Sequence, residues 1–188
     1  MTNHVHLIAV PSRADSLAKA VGRTDFLYTQ YVNRLHGRSG HLWQNRFYSC
    51  ALDEERFFEA LRYIEQNPVR AGMERLAQAY PWSSAGAHTG TTDAHPLLDM
   101  SNWGEMMEAD AWRAALRQRP AKEDVAALRR HTLRGWPLAS DGMLSKLEKR
   151  LGRRLRPLPP GHPAGGKDKK KRKTRRSGEV EQKQVKNR

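Results

Sequence analysis

The residue pattern predicts an α+β protein. A period-two run, "HVHLIAVP", stands near the start. Apolar residues at helical spacing follow over about Asp15 to His36, and again from Asp53 to about Asn67. Between these two stretches, "HLWQNRFYSCAL" alternates aromatic with polar residues, as one or two extended segments do. The 188 residues, 38% of them hydrophobic, have room for one ordinary domain with solvated appendages.

The opening run raises the first chemical question. On a strand His4 and His6 point one way and Val5 the other. Two imidazoles on one face are either the polar side of an edge strand or half of a metal site. Pro11 ends the run. In the first helix Leu17, Val21, Thr24, Tyr28, Tyr31 and Leu35 recur at spacings of three and four and make one face. "HGRSG" is a turn. Asp53 is a fair N-cap for the second helix, Glu54 and Glu55 suit its first turn, and Pro68 discourages its continuation past Asn67. "YPWSSAGAHTGTTDAHP" reads as a surface loop closing the first unit. Helices are expected over about Glu105 to Gln118, Lys122 to Leu133 and Ser140 to Leu151, the last two joined by "RGWPLAS". "LRPLPPGHPAGG" is a Pro/Gly linker.

Charge narrows the partners. Formal net charge is +14, and the last 22 residues, with 11 Lys/Arg against three Asp/Glu, hold +8 of it. Such a tail repels itself into disorder and either solubilises the chain or binds nucleic acid; a body that carries the other +6 favours nucleic acid. No apolar run approaches the ~20 residues of a membrane span, and no secretory signal is visible. The single cysteine, Cys50, excludes an internal disulfide and fits a reducing cytosol.

The stretch "DEERFFEALRYIEQNPVRAG" places chemistry on a helix. With Phe57 at 0° and ~100° per residue, Leu61 falls at ~40° and Ile64 at ~−20°, an apolar face. Tyr63 falls at ~−120° and Asn67 at ~−80°, together on its flank, while Gln66 at ~180° faces away. A tyrosine and a carboxamide thus overlook a neighbouring polar strand face, and His4/His6 is the obvious one. On the residues alone, Tyr63 also fits a helix-flank tyrosine with a solvated hydroxyl.

Four segments in order, "NHVHL", "YTQYVNR", "SGHLWQNRF" and "RYIEQNPVRAGM", closely resemble the REP-associated tyrosine transposases of the single-tyrosine HUH transposase superfamily, Val5 standing at the U position. The likeness covers about residues 1–90, and "LRRHTLRGWPLASDGMLSKLEKRLGRRLRPL" looks like the C-terminal extension of some members. The resemblance implies a ferredoxin-like (RRM-like) α+β HUH core over 1–90, a helical extension over 91–157, and a linker with a disordered basic tail over 158–188. It implies that His4 and His6 are metal ligands, Tyr63 the nucleophile and Asn67 a further ligand, with Mg²⁺ or Mn²⁺ as cofactor. It implies a DNA transposase and single-strand endonuclease acting on single-stranded or hairpin DNA of palindromic repeats. The expected location is the cytoplasm, at the nucleoid, and monomer and homodimer both stay open.

The chemistry suits these residue types. Only about 0.1% of a free tyrosine is phenolate at neutral pH, so the target must be activated. A divalent ion on mixed N/O ligands can do this by drawing on a non-bridging phosphate oxygen. Attack then gives a 5′-phosphotyrosine and a free 3′-OH, which can reseal the strand without ATP. Trp43, Phe47 and Tyr48, interleaved with Arg46, suit base stacking and phosphate contact, or equally strand-face packing. Arg70 could reach a phosphate or serve its helix end, and Lys169, Lys170, Lys171 and Arg172 of the tail suit phosphate contact. Tyr28 and Tyr31 read as packing or DNA contact. A non-catalytic nucleic-acid-binding protein on the same scaffold is the competing reading; a metal-dependent hydrolase is a weaker one, since it gives Tyr63 no role.

Family members carry a strand and helix before the histidine strand, whereas this sequence starts at Met1-Thr2-Asn3-His4. The core is therefore expected to be N-terminally truncated, by a misassigned start or a degraded gene, leaving Leu7, Ile8 or their opposite-face neighbours uncovered. Alternatively, the helices beyond Glu105 fill the gap.

Overall fold

Helix occupies more of the chain, and strand less, than the residue pattern predicts. The structure, a computed structural model, describes residues 3–157, and those up to Arg156 form one unit. The helices are α1 (Ser16–Leu35), α2 (Glu54–Glu65), α3 (Asn67–Arg70), α4 (Ala85–His88), α5 (Trp103–Met106), α6 (Ala109–Arg117), α7 (Lys122–Arg134) and α8 (Asp141–Leu151), with a 3₁₀ turn at Ala77–Ala79. None is long and apolar enough to cross a membrane.

The expected α+β, ferredoxin-like sheet is absent from the described residues. Their sole β pairing is a parallel bridge between Leu52 and Leu138. Residues 4–10 have no ladder partner, and Val5 and Leu7 stay exposed. An extended run becomes a strand only when a second backbone takes its N–H and C=O groups. The aromatic stretch 41–52, the nearest candidate, is committed elsewhere. Trp43 Nε1 donates to Asp25 O at 3.1 Å, tying the stretch to α1, and Ala51 O accepts from Leu138 N at 2.8 Å. Helix α1 itself buries no side chain, and Phe26, Tyr28, Tyr31 and Leu35 on it are exposed.

Helix α2 is the organising element. Asp53 caps it as the sequence predicts, accepting from Arg56 N at 3.1 Å, and its other oxygen accepts from Ser140 N at 2.6 Å. These two backbone N–H groups, Ser140's above all, hold the Asp53 carboxyl below its ordinary range. The core cluster comprises Leu61 of α2 with Ala77, Ala85, Trp103, Trp112 and Leu116. The stretch expected to be a surface loop contributes Ala85 to it, and Gly86, His88 and Thr89 of the same stretch are buried too.

In the middle of this apolar cluster lies a carboxylate. Glu65 is fully buried. Its Oε1 accepts from His88 Nδ1 and Ser84 Oγ, each at 2.5 Å, and its Oε2 accepts from Trp112 Nε1 at 2.8 Å. The His88 ring stacks on Trp103 at 4.0 Å, and Trp103 Nε1 donates back to His88 O at 3.0 Å. Next in sequence, Gln66 is buried rather than facing away. Its Nε2 donates to Leu116 O (2.9 Å) and Gln118 O (2.7 Å), closing the end of α6.

Removing the carboxylate would strand three donors at once, two of them, His88 Nδ1 and Trp112 Nε1, on buried residues. Glu65→Ala is therefore expected to destabilise the fold by roughly 3–5 kcal/mol. Urea unfolding followed by far-UV circular dichroism measures it; a loss under about 1 kcal/mol, the scale of an ordinary exposed pair, would show that the cluster does not depend on Glu65.

Candidate active site

Tyr63 sits two residues before Glu65, so the two side chains leave α2 ~200° apart. Glu65 points into the core, and Tyr63 is presented to the other side, where it is 8% exposed. Around its ring the structure gathers residues from three distant parts of the chain. The His6 ring meets it edge-on, with centroids 5.8 Å apart, and His4 lies beside His6 at 4.9 Å. The Arg70 guanidinium lies 4.1 Å from the ring centroid. Arg129 of α7 donates from Nε to Tyr63 Oη at 3.2 Å.

Each position has a local cause. Pro68, at the start of α3, separates that short helix from α2 and brings Arg70 back over the tyrosine. There Arg70 donates to Tyr63 O (3.3 Å) and to Asn67 Oδ1. Helix α7 packs on α2, its Val125 and Leu128 in one seam with Ala60 and Tyr63. It stops at Gly135, whose positive φ of 65° lets Trp136 N reach back to His131 O at 3.0 Å. The chain then runs along residues 50–53, where Leu138 pairs with Leu52 and the Cys50 thiol donates to Trp136 O at 3.1 Å.

The site is electropositive. Burial, then the charges of His4, Arg70 and Arg129, push the His6 imidazole below its ordinary 6.5. Burial also lowers Arg70, with Arg129 acting in the same sense and Tyr63 opposing it. Neither arginine forms an ion pair with a carboxylate among the described residues. Asn67 is 5% exposed; its Oδ1 is taken by Arg70 and its Nδ2 is buried without a partner.

These contacts bear on a metal ion. Two adjacent imidazoles, one of them held toward its neutral form, fit a divalent cation. The Asn67 amide oxygen already accepts from the Arg70 guanidinium, a group that can only donate. Among the described residues no three His, Cys, Asp or Glu side chains converge as a metal site.

Of the residues predicted to touch DNA, Arg70 alone joins this cluster. Trp43 packs against Tyr28 of α1 at 5.9 Å, while Arg46, Phe47 and Tyr48 are exposed. Lys169, Lys170, Lys171 and Arg172 lie outside the described residues. Arg129, beside Tyr63, and Glu65, in the core, are residues that pattern reading missed. Each carried a signal: Arg129 follows Val125 by four, on α7's apolar side, and Glu65 follows Leu61 by four, on α2's. The chain matches no protein-family model, no curated protein and no solved structure among those compared with it.

His6 offers a direct check of the electrostatics. Its imidazole should titrate below 6.5 by histidine-ring NMR, and Arg70→Gln should raise that midpoint. Because the folded value is depressed, the stability linked to His6 is complete above the unfolded pKa and is lost as pH falls through the folded one. A midpoint at or above 6.5 would show that His6 is not buried against these charges.

Proposed function

We propose that the chain is a single-tyrosine DNA strand-transfer enzyme of the REP-associated transposase kind, acting on single-stranded or hairpin DNA. The observation that carries the reading is the convergence of His6 and Tyr63, 57 residues apart in sequence, at a ring separation of 5.8 Å with a guanidinium bonded to the phenol oxygen. The order of motifs in the sequence supports it independently.

In this mechanism Tyr63 Oη attacks the scissile phosphorus. The Oη–P bond forms, the P–O3′ bond breaks, the phenol proton is lost and the departing 3′-oxygen gains one. The products are a 5′-phosphotyrosine and a 3′-OH, and the same 3′-OH chemistry run in reverse reseals a strand. His4 and His6 are the residues that would hold Mg²⁺ or Mn²⁺, which when bound supplies Lewis-acid polarisation of a non-bridging phosphate oxygen. The contacts of the Tyr63 ring with His6 and Arg70, and of its hydroxyl with Arg129, hold the direction from which Oη attacks.

The competing reading, a nucleic-acid-binding protein without turnover, draws on one observation: the Tyr63 hydroxyl is already engaged by Arg129 and the Asn67 oxygen by Arg70. The two readings separate on a denaturing gel. With hairpin DNA and Mn²⁺ the full chain should form a covalent protein–DNA adduct. Tyr63→Phe should abolish it while DNA affinity stays within about twofold, since one hydroxyl among many phosphate contacts is removed. Retained DNA binding with no adduct from the unaltered chain would select the non-catalytic reading, and an adduct formed by Tyr63→Phe would mean another nucleophile.

A further inference from the structure

We propose that Arg129, Arg70 and Asn67 form a phosphate clamp around Tyr63, with Asn67 as a hydrogen-bond donor to the anion rather than a ligand to a metal. The proposal rests on the strand-transfer reading only for the source of the phosphate, a DNA phosphodiester; the anion chemistry follows from the cluster itself.

Two guanidiniums flank one ring, at 4.1 and 6.0 Å from its centroid, and neither has a carboxylate partner among the described residues. Both side chains are exposed, so an anion can reach them, and like charges gathered at one ring are stabilised by an anion between them. Arginine suits a tetrahedral phosphate because its fork presents paired N–H donors to two oxygens. Asn67 supplies the independent observation. Its Nδ2 is buried with no partner, and an orphaned buried amide donor is costly until an acceptor arrives. Since Arg70 holds Oδ1, the amide presents N–H to whatever binds there. Arg129 thus stands at the oxygen on which a phosphoryl group would form its ester, with the Arg70 guanidinium over the same ring and the Asn67 amide bonded to it.

Arg129 comes from α7, beyond the part of the chain that carries His4, His6 and Tyr63. The later helices are therefore part of the site, and Arg129 acts on the phosphoryl group and on the orientation of the phenol together.

The test uses the full chain and inorganic phosphate as probe, with an adduct assay beside it. At matched ionic strength, replacing chloride with phosphate should raise the melting midpoint of the unaltered chain by more than that of R129Q, R70Q or N67D, while R129K keeps part of the increment. Far-UV circular dichroism confirms that each variant is folded. Equal phosphate increments in the unaltered chain, R129Q and N67D would overturn the clamp. In the adduct assay R129Q should slow the reaction about a hundredfold at saturating DNA, the scale of losing one donor to developing charge. N67D divides the two roles of residue 67: a carboxylate repels phosphate but improves a metal site. Loss of adduct in N67D supports the clamp, and an undiminished adduct at lower Mn²⁺ overturns Asn67's part in it. If the unaltered chain forms no adduct yet the phosphate increments differ as stated, the strand-transfer reading falls and the clamp stands.

Discussion

The buried carboxylate of Glu65 is the constraint on which the arrangement of this molecule depends. A charge-bearing side chain inside a cluster of tryptophans and small apolar residues is tolerable only when its oxygens are fully engaged. Here His88, Ser84 and Trp112 engage them, from α4, the turn before it, and α6. The carboxylate thereby specifies which segments meet α2 and at what rotation about its axis. With Glu65 held inward, helical geometry leaves Tyr63 no other side to face. Gln66 adds two bonds to the end of α6 and removes any remaining freedom at the helix terminus.

A second constraint acts at the other end of α2. Asp53 caps the helix with one oxygen and holds Ser140 N with the other. The residue that starts α2 thus also sets where the chain leaving α7 must run. Together with the Leu52–Leu138 bridge, this lays α7 along α2 and brings the Arg129 side chain to the tyrosine hydroxyl. The two ends of one helix divide the labour: its C-terminal turn orients the phenol, and its N-cap delivers the guanidinium that bonds it. Residues 4–6 supply the imidazoles from an extended segment, without the sheet that the motif resemblance implies.

What could be read from the sequence follows from the range of the interactions involved. Helices α1, α2, α7 and α8 were legible because periodicity and capping are local, and the Asp53 cap, the α7 span and the break near Pro68 fall within a residue or two of expectation. The histidine spacing and the placing of Tyr63 on a helix flank were legible for the same reason. The strand was not, because alternation shows that a segment can pair but not that a partner is present; Trp43 and Ala51 bond elsewhere. "YPWSSAGAH" looked like loop because its residues are small, yet smallness is what lets α4 enter the core: a Cβ on Gly86 would lie 2.5 Å from Thr92 Oγ1. Expected as a single helix, 105–118 is instead α5 and α6, with Met107 extended between them. Arg129 escaped notice because only the tertiary fold brings it within reach of a residue 66 positions earlier.

The histidine segment and the tyrosine of α2 share one site. Aromatic proton NOEs in the full chain test it without reference to activity. With ring centroids 5.8 Å apart and an edge-on approach, the His6 ring protons should show a cross-peak to the Tyr63 ring that disappears in His6→Ala. A Tyr63 ring with cross-peaks to α7 protons but none to His6 would place the histidines elsewhere, away from the tyrosine.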